Sequence, residues 1–254
     1  MADRVKGKKC LIYGGGSGIG LACAEALIAD GAAVFITGRR EVVLSSATTR
    51  LELLGKAGYV AGDATAVDDV RHITSRAVDF LGGLDTIVIS AGAGGRTSIF
   101  DAEPEEFQRI IDNNMRPVFL SVRYALPHLI SAGSGSIIAI SSMYGLVGQR
   151  ERVAYCGAKA GVNGMVASMA LELAERGIRV NAICPGFVDT PLSLEVAKLE
   201  KDPAASLNAK RLMHPIPRAG KLDEMGELAV YLASDRSAFM TGQAIAIDGG
   251  YTSR

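Results

Sequence analysis

The chain lacks the features that would tie it to nucleic acid, a membrane or a metal. Lys plus Arg and Asp plus Glu each number 27, so no net basic field gathers phosphates or anionic lipids. No apolar run is long enough to span a bilayer, and the run that stops at Gly14 is too short for a secretion signal. His72, His128 and His214 stand far apart without ligand spacing, which argues against a metal site. Cys10, Cys23, Cys156 and Cys184 form no C-x-x-C pair and no disulfide framework. Free thiols in a reducing compartment are the simplest reading, so a cytoplasmic protein is expected, with Cys156 a buried, inert thiol. Linkers, repeats and composition breaks are missing too, and residues 1–254 are read as one domain. The partner implied is a small molecule.

What the chain does have is alternation. Apolar runs at 10–13, 33–37, 58–61, 84–90, 136–141, 179–183 and 244–247 read as strands. Helical patterns fill 19–30, 41–54, 67–80, 103–130, 153–176 and 224–233. This order predicts an α/β fold of βαβ units around a mostly parallel sheet. The strand runs are continuously apolar, as expected when helices cover both faces. Pro117 and Pro127 leave 103–130 open between one long helix and a helix pair. The stretch 191–217 holds Pro203, Pro215 and Pro217, with helical signals at Leu192, Leu194, Val196, Ala197 and Leu199. A substrate lid and an exposed helical insertion fit it equally.

The first strand runs into Gly14-Gly15-Gly16-Ser17-Gly18-Ile19-Gly20, which opens a helix. Such a turn lets backbone approach a pyrophosphate, which then sits on the N–H groups of the helix start at Ser17, Gly18, Ile19 and Gly20. Where NAD enzymes commonly carry an acidic residue after the second strand, this chain has Arg39 and Arg40. An arginine can bind a ribose 2′-phosphate through paired hydrogen bonds, so NADP(H) is favoured over NAD(H), against the alternative of an exposed basic turn. Asp63, after the third strand, is a candidate acceptor for the adenine amino group or an ordinary helix-start carboxylate.

Tyr155 and Lys159 are four residues apart on a predicted helix and so share a face. A nearby ammonium favours phenolate, so Lys159 is expected to lower the pKa of Tyr155. Ser142 follows an apolar strand and can bring a hydroxyl beside the phenol. Acid, cation and hydroxyl donor suit proton transfer at a carbonyl or carbinol oxygen. The expected activity is oxidoreduction.

Together the Gly14–Gly20 turn, Asn114, Ser142, Tyr155-x-x-x-Lys159, Pro185-Gly186-x-x-x-Thr190 and the ending Thr241-Gly242-Gln243…Asp248-Gly249-Gly250 resemble the short-chain dehydrogenase/reductase family. The resemblance covers nearly the whole chain. It implies a seven-stranded, Rossmann-like doubly wound sheet and a homotetramer. It implies that Tyr155 is the general acid/base, Ser142 polarises the substrate oxygen, Lys159 holds the nicotinamide ribose, and Asn114 anchors a water linking Lys159 to solvent. Ala64, Ala91 and Gly92 would line the cofactor, while Pro185, Gly186, Val188 and Thr190 would meet the nicotinamide carboxamide. Ala158, Gly161, Gly164 and Ala167 offer small residues for contact with another subunit or within the chain.

Two positions depart from the family pattern. Tyr13 replaces the usual Thr before the first glycine, and Ser90 the usual Asn of Asn-Asn-Ala-Gly. Tyr13 can fill space or bond backbone, and Ser90 puts a strut near adenosine in doubt. Substrate-lining positions implied are Ala93-Gly94, Met143-Tyr144, Gln149-Arg150, Gly186-Phe187 and the lid. Arg96, Arg150 and Arg152 are read as solvent-exposed in preference to anion-binding. A secondary alcohol/ketone oxidoreductase is expected. A 3-oxoacyl thioester reductase, a sugar dehydrogenase and a dinucleotide-sensing binding protein without turnover are the rivals.

Overall fold

In the computed structural model, which describes residues 3–198 and 201–253, the apolar runs form strands β1 (Lys9–Tyr13), β2 (Ala33–Gly38), β3 (Ala57–Ala61), β4 (Thr86–Ile89), β5 (Gly135–Ile140), β6 (Ile178–Pro185) and β7 (Ala244–Ile247). Between them run α1 (Gly18–Ala29), α2 (Glu41–Glu52), α3 (Val67–Leu81), α4 (Pro104–Ser131), α5 (Val153–Leu173), α6 (Pro191–Ala197), α7 (Pro203–Leu212) and α8 (Leu222–Ala233). The strands make one seven-stranded sheet in the order β3-β2-β1-β4-β5-β6-β7, every neighbouring pair parallel. Strand order reverses between β1 and β4, and the crevice beyond their carboxyl ends is where open α/β sheets bind ligands.

Side chains alternate across each strand, yet both faces are apolar. Leu11 and Tyr13 join a core with Val70 of α3, Val118 of α4 and Val162 of α5. Cys10 and Ile12 point the other way, into Cys23 of α1, Leu44 of α2 and Met225 of α8. Two helical layers therefore sandwich the sheet. Tyr13 is fully buried. Its hydroxyl shares a 3.2 Å hydrogen bond with the Thr74 hydroxyl on α3, so it both fills space and bonds a side chain, not backbone. The four cysteines are free; Cys10, Cys23 and Cys184 are buried, whereas Cys156, expected to be buried, is only half-buried near the start of α5. Among the described residues no helix is long and apolar enough to cross a membrane.

Pro117 and Pro127 lie inside α4, which nonetheless runs as a single helix, so the helix-pair alternative falls. Packing on α5 holds it together through the break: a Cβ at Gly161 would come within 2.8 Å of the Met115 methyl. The irregular stretch after β6 resolves into α6 and α7. Leu199 lies outside the described residues, as do the side chains of Leu192 and Val196. Arg211 on α7 pairs with Asp189 at 2.8 Å. His214 lies just beyond α7 and is buried. Its Nδ1 meets the Asp248 carbonyl at 2.6 Å, and its Nε2 accepts from the Phe187 N–H at 3.2 Å. These contacts fix the tautomer, with Nδ1 carrying the proton, and tie the segment after β6 to the strand ends.

Candidate active site

At the carboxyl end of β1 the chain must turn sharply, and glycine is what the space allows. The N–H groups of Gly14 and Gly15 donate to Thr37 O at 2.8 and 3.1 Å, which pins the turn to β2. Gly14 has φ +75°, and a Cβ there would lie 2.9 Å from the Ala91 nitrogen. A Cβ on Gly20 would strike the Gly14 carbonyl and come within 3.1 Å of Ser90 Cβ. Ser90 is thus packed beside the turn. Ser17 occupies the N-cap of α1 without a side-chain cap bond, so its hydroxyl and the first N–H groups, including those of Gly18 and Ile19, are available to an anion. Thr190 stands across the turn, its Cβ 3.6 Å from the position a Gly18 Cβ would take. Its hydroxyl accepts from Ser193 N at 3.1 Å. Pro185, Val188 and Gly186 lie at the end of β6 and just beyond, and Gly186 has room for no Cβ against Asp248. A concave cradle with a helix N-terminus on one side fits a dinucleotide pyrophosphate.

Arg39 and Arg40 follow β2 and are exposed. Arg39 stands close enough to Asp63 for its charge to help hold that carboxyl below its ordinary value; the larger influences are burial, which opposes this, and the hydrogen bonds from Thr65. Asp63 Oδ1 accepts from both the N–H and the hydroxyl of Thr65 at 2.8 Å. Ala64 is buried beside it, and Ala91 is half-buried at the end of β4.

The predicted tetrad converges beside this cradle. Ser142, buried at the end of β5, accepts from Tyr144 N at 3.2 Å, and its hydroxyl is near enough to the Tyr155 phenol to favour the phenolate. Lys159 is buried on α5. Its Nζ donates to Ile140 O at 2.9 Å and lies 5.7 Å from the centre of the Tyr155 ring. Asn114 is buried on α4, its amide donating to Ala93 O and Ile110 O at 2.8 Å. Its Oδ1 has no hydrogen-bond partner among the described residues. A Cβ built on Gly92 would lie 2.9 Å from that oxygen and 3.5 Å from Lys159 Nζ, so both atoms border the space that glycine leaves. An orphaned buried acceptor next to a buried ammonium calls for a water or ligand hydroxyl.

Electrostatics here depart from expectation. Burial pushes the Tyr155 phenol above its ordinary value; the nearby Ser142 hydroxyl and the Arg152 charge pull the other way without overcoming it. The expected depression by Lys159 is therefore corrected. The ammonium turns to Ile140 O, and burial lowers its own pKa to about 8. Arg152 is the residue that sequence alone undervalues. It is half-buried, and its guanidinium donates to Gly95 O at 2.7 Å; Arg96 and Arg150 are exposed, as expected. Among the described residues no three His, Cys, Asp or Glu side chains converge as a metal cluster would require.

A family model described as enoyl-(acyl carrier protein) reductase matches residues 14–252. The chain is 37% identical over 253 residues to cis-4-hydroxycyclohexanecarboxylate dehydrogenase of Sinomonas cyclohexanicum, covering 99% of each. It is 35% identical over 248 residues to the 3-oxoacyl-[acyl-carrier-protein] reductase of Thermotoga maritima, covering 97% of this chain and 98% of that protein. A solved structure of a variant actinorhodin polyketide ketoreductase with NADPH superposes with TM-score 0.94 at 29% identity, over 100% of both chains. The chain belongs to the short-chain dehydrogenase/reductase family. It is a nicotinamide-dinucleotide oxidoreductase of secondary alcohols and ketones.

Proposed function

We propose that the chain is an NADP(H)-preferring alcohol dehydrogenase/ketone reductase in which Tyr155 is the general acid/base. The observation that carries this is the buried Asn114, Ser142 and Lys159 gathered around Tyr155, with Lys159 Nζ 5.7 Å from the phenol ring centre at the edge of the glycine cradle. A dinucleotide bound there supplies or takes up a hydride at the substrate carbon. Tyr155 gives its phenolic proton to the substrate oxygen in reduction, and Ser142 shares the negative charge developing there. Lys159 holds the nicotinamide ribose. Asn114 Oδ1 keeps a water that passes protons from Lys159 outward. Val188 and Thr190 meet the carboxamide, and α6 with α7 acts as a lid over the substrate, anchored by Arg211 and His214. The whole chain works as one catalytic domain.

Arg39 supports the NADP(H) preference, because it follows β2, is exposed, and makes no ion pair among the described residues. A charge-assisted bond to a 2′-phosphate is worth roughly tenfold to a hundredfold in affinity. Titration by nicotinamide fluorescence should give tighter binding of NADPH than NADH, and Arg39→Ala should shrink that ratio by the same factor. Tighter NADH binding by the native protein would refute the preference. The substrates to test are cyclohexanol, 4-hydroxycyclohexanecarboxylate and acetoacetyl-coenzyme A, the last standing for the acyl-thioester rival that the Thermotoga relative suggests. Turnover of none would return the dinucleotide-sensor reading to the front.

Four chains are the proposed assembly, in the cytoplasm, where free thiols persist. Phe107 and Phe119 on α4 are 43% and 56% exposed, and Leu171 on α5 83%. Gly164 and Ala167 share the exposed side of α5, whereas Ala158 is buried and Gly161 packs on Met115. Apolar exposure of this kind marks protein interfaces. Light scattering should return the mass of four chains; a monomer would overturn this.

A further inference from the structure

We propose that Arg152 anchors a carboxylate carried by the substrate, which makes the natural substrate a hydroxy acid or oxo acid in preference to a neutral alcohol. This rests on the reading of Ser142 and Tyr155 as the reaction centre.

Guanidinium groups taken partly out of water ordinarily meet a carboxylate. Half-buried Arg4 does so on Asp30 and Glu227, and half-buried Arg179 spreads its guanidinium over three oxygens instead, those of Ser237 Oγ, Leu232 O and Ser234 O. Exposed Arg96 takes Glu151 at 2.6 Å. Arg152 is half-buried yet meets one carbonyl, Gly95 O, and among the described residues no carboxylate. One guanidinium nitrogen is therefore used for positioning, and further donors stay available in the fork that matches a carboxylate.

The chain is built to hold that fork in place. Thr97 and Arg152 form an isolated parallel bridge. Thr97 N donates to Glu151 O at 2.8 Å, and the start of α5 answers with Val153 N on Thr97 O at 3.2 Å and Ala154 N on the Thr97 hydroxyl at 3.1 Å. Glu151 has φ 58°, the one positive φ on a non-glycine among the described residues. Such left-handed backbone is strained for an L side chain and points to a local requirement. The bend sends the Glu151 carboxylate to Arg96 and leaves the adjacent Arg152 without it.

Arg152 also faces the reaction centre. It caps the start of α5 three residues before Tyr155, and its guanidinium is held on Gly95 O, beyond the end of β4 and close to Gly92, which borders Asn114 and Lys159. A Cβ built on Gly94, beside the carbonyl-bearing Gly95, would meet nothing within 4 Å, which leaves open room on that side. A substrate with its carbinol at Ser142 and Tyr155 can thus extend an anionic group to Arg152.

The probes are 4-hydroxycyclohexanecarboxylate and its methyl ester, which share the ring and the carbinol but differ in charge. For the native enzyme kcat/KM should favour the acid by about 10–100-fold, the worth of a charge-assisted bond. The advantage should shrink as salt rises. Arg152→Gln should collapse the acid/ester ratio, and Arg152→Lys should keep part of it. Turnover of both probes at equal efficiency by the native enzyme would overturn the anchor while leaving the reaction centre intact. So would an unchanged ratio in Arg152→Gln. Turnover of neither acid, ester nor any neutral alcohol would overturn the reaction centre and the anchor with it.

Discussion

Tyr155→Phe is expected to cut turnover by about 10²–10⁴-fold, the range for loss of a positioned general acid or base, while the dinucleotide still binds. The phenyl ring stays beside the Lys159 ammonium and only the hydroxyl is lost, so the glycine cradle is untouched. Steady-state rates together with a fluorescence titration separate the two effects, and turnover close to native would sink the assignment. Because burial holds the phenol above its ordinary pKa, the native enzyme keeps Tyr155 protonated at neutral pH. That form donates a proton, so ketone reduction proceeds at neutral pH and declines as the phenol ionises in alkali. Alcohol oxidation needs the phenolate and climbs over the same range. Opposite pH profiles for the two directions are therefore expected, and both should vanish in Tyr155→Phe. Ser142→Ala should cost less than Tyr155→Phe, roughly 10²–10³-fold as for loss of one oxyanion donor, because water can replace a hydroxyl donor but not the acid.

Much of this is legible in the sequence because parallel strands buried on both faces read as unbroken apolar runs. Thus the run at 244–247 matches the bounds of β7, and that at 33–37 falls one residue short of β2. The glycine turn is readable because steric demand there admits nothing larger. What escapes a reading of the chain depends on contacts between distant segments. Arg152 looks like a surface cation until Thr97, far away in sequence, pairs with it. His214 has no ligand spacing, yet its ring bridges Phe187 and Asp248. The four-residue spacing of Tyr155 and Lys159 correctly puts them on one face. It carries no information on the dielectric around the phenol, nor on the carbonyl of Ile140 that draws the ammonium aside. Likewise, two prolines in α4 are local breakers whose effect is overridden by packing against α5.

Lys159→Met should abolish useful turnover and, at the same time, reveal what the buried ammonium costs the fold. Burial lowers the Lys159 pKa from an ordinary 10.5 to about 8. Between those values the unfolded chain binds more protons than the folded one, so this group makes stability rise with pH. Below about pH 8 the lysine is charged in both states and its desolvation penalty is fully present. Above the ordinary value it is neutral in both and the penalty is gone. The stability of the native protein minus that of Lys159→Met, measured in urea without cofactor, should therefore increase by roughly 2–3 kcal/mol between pH 7 and 10, since each tenfold change in proton affinity is worth about 1.4 kcal/mol. Comparing the two proteins cancels groups that titrate oppositely, such as Cys23 and Tyr13, whose burial pushes each to about 12. A difference that stays flat with pH would show that the ammonium is not desolvated. A lysine kept at such a cost is one that packing alone would have replaced, and its neighbours say what it is kept for. Its Nζ lies 5.7 Å from the centre of the Tyr155 ring and shares the space at Gly92 with the orphaned Asn114 oxygen, where a cation can hold a ribose hydroxyl and a protein interior otherwise would not tolerate it.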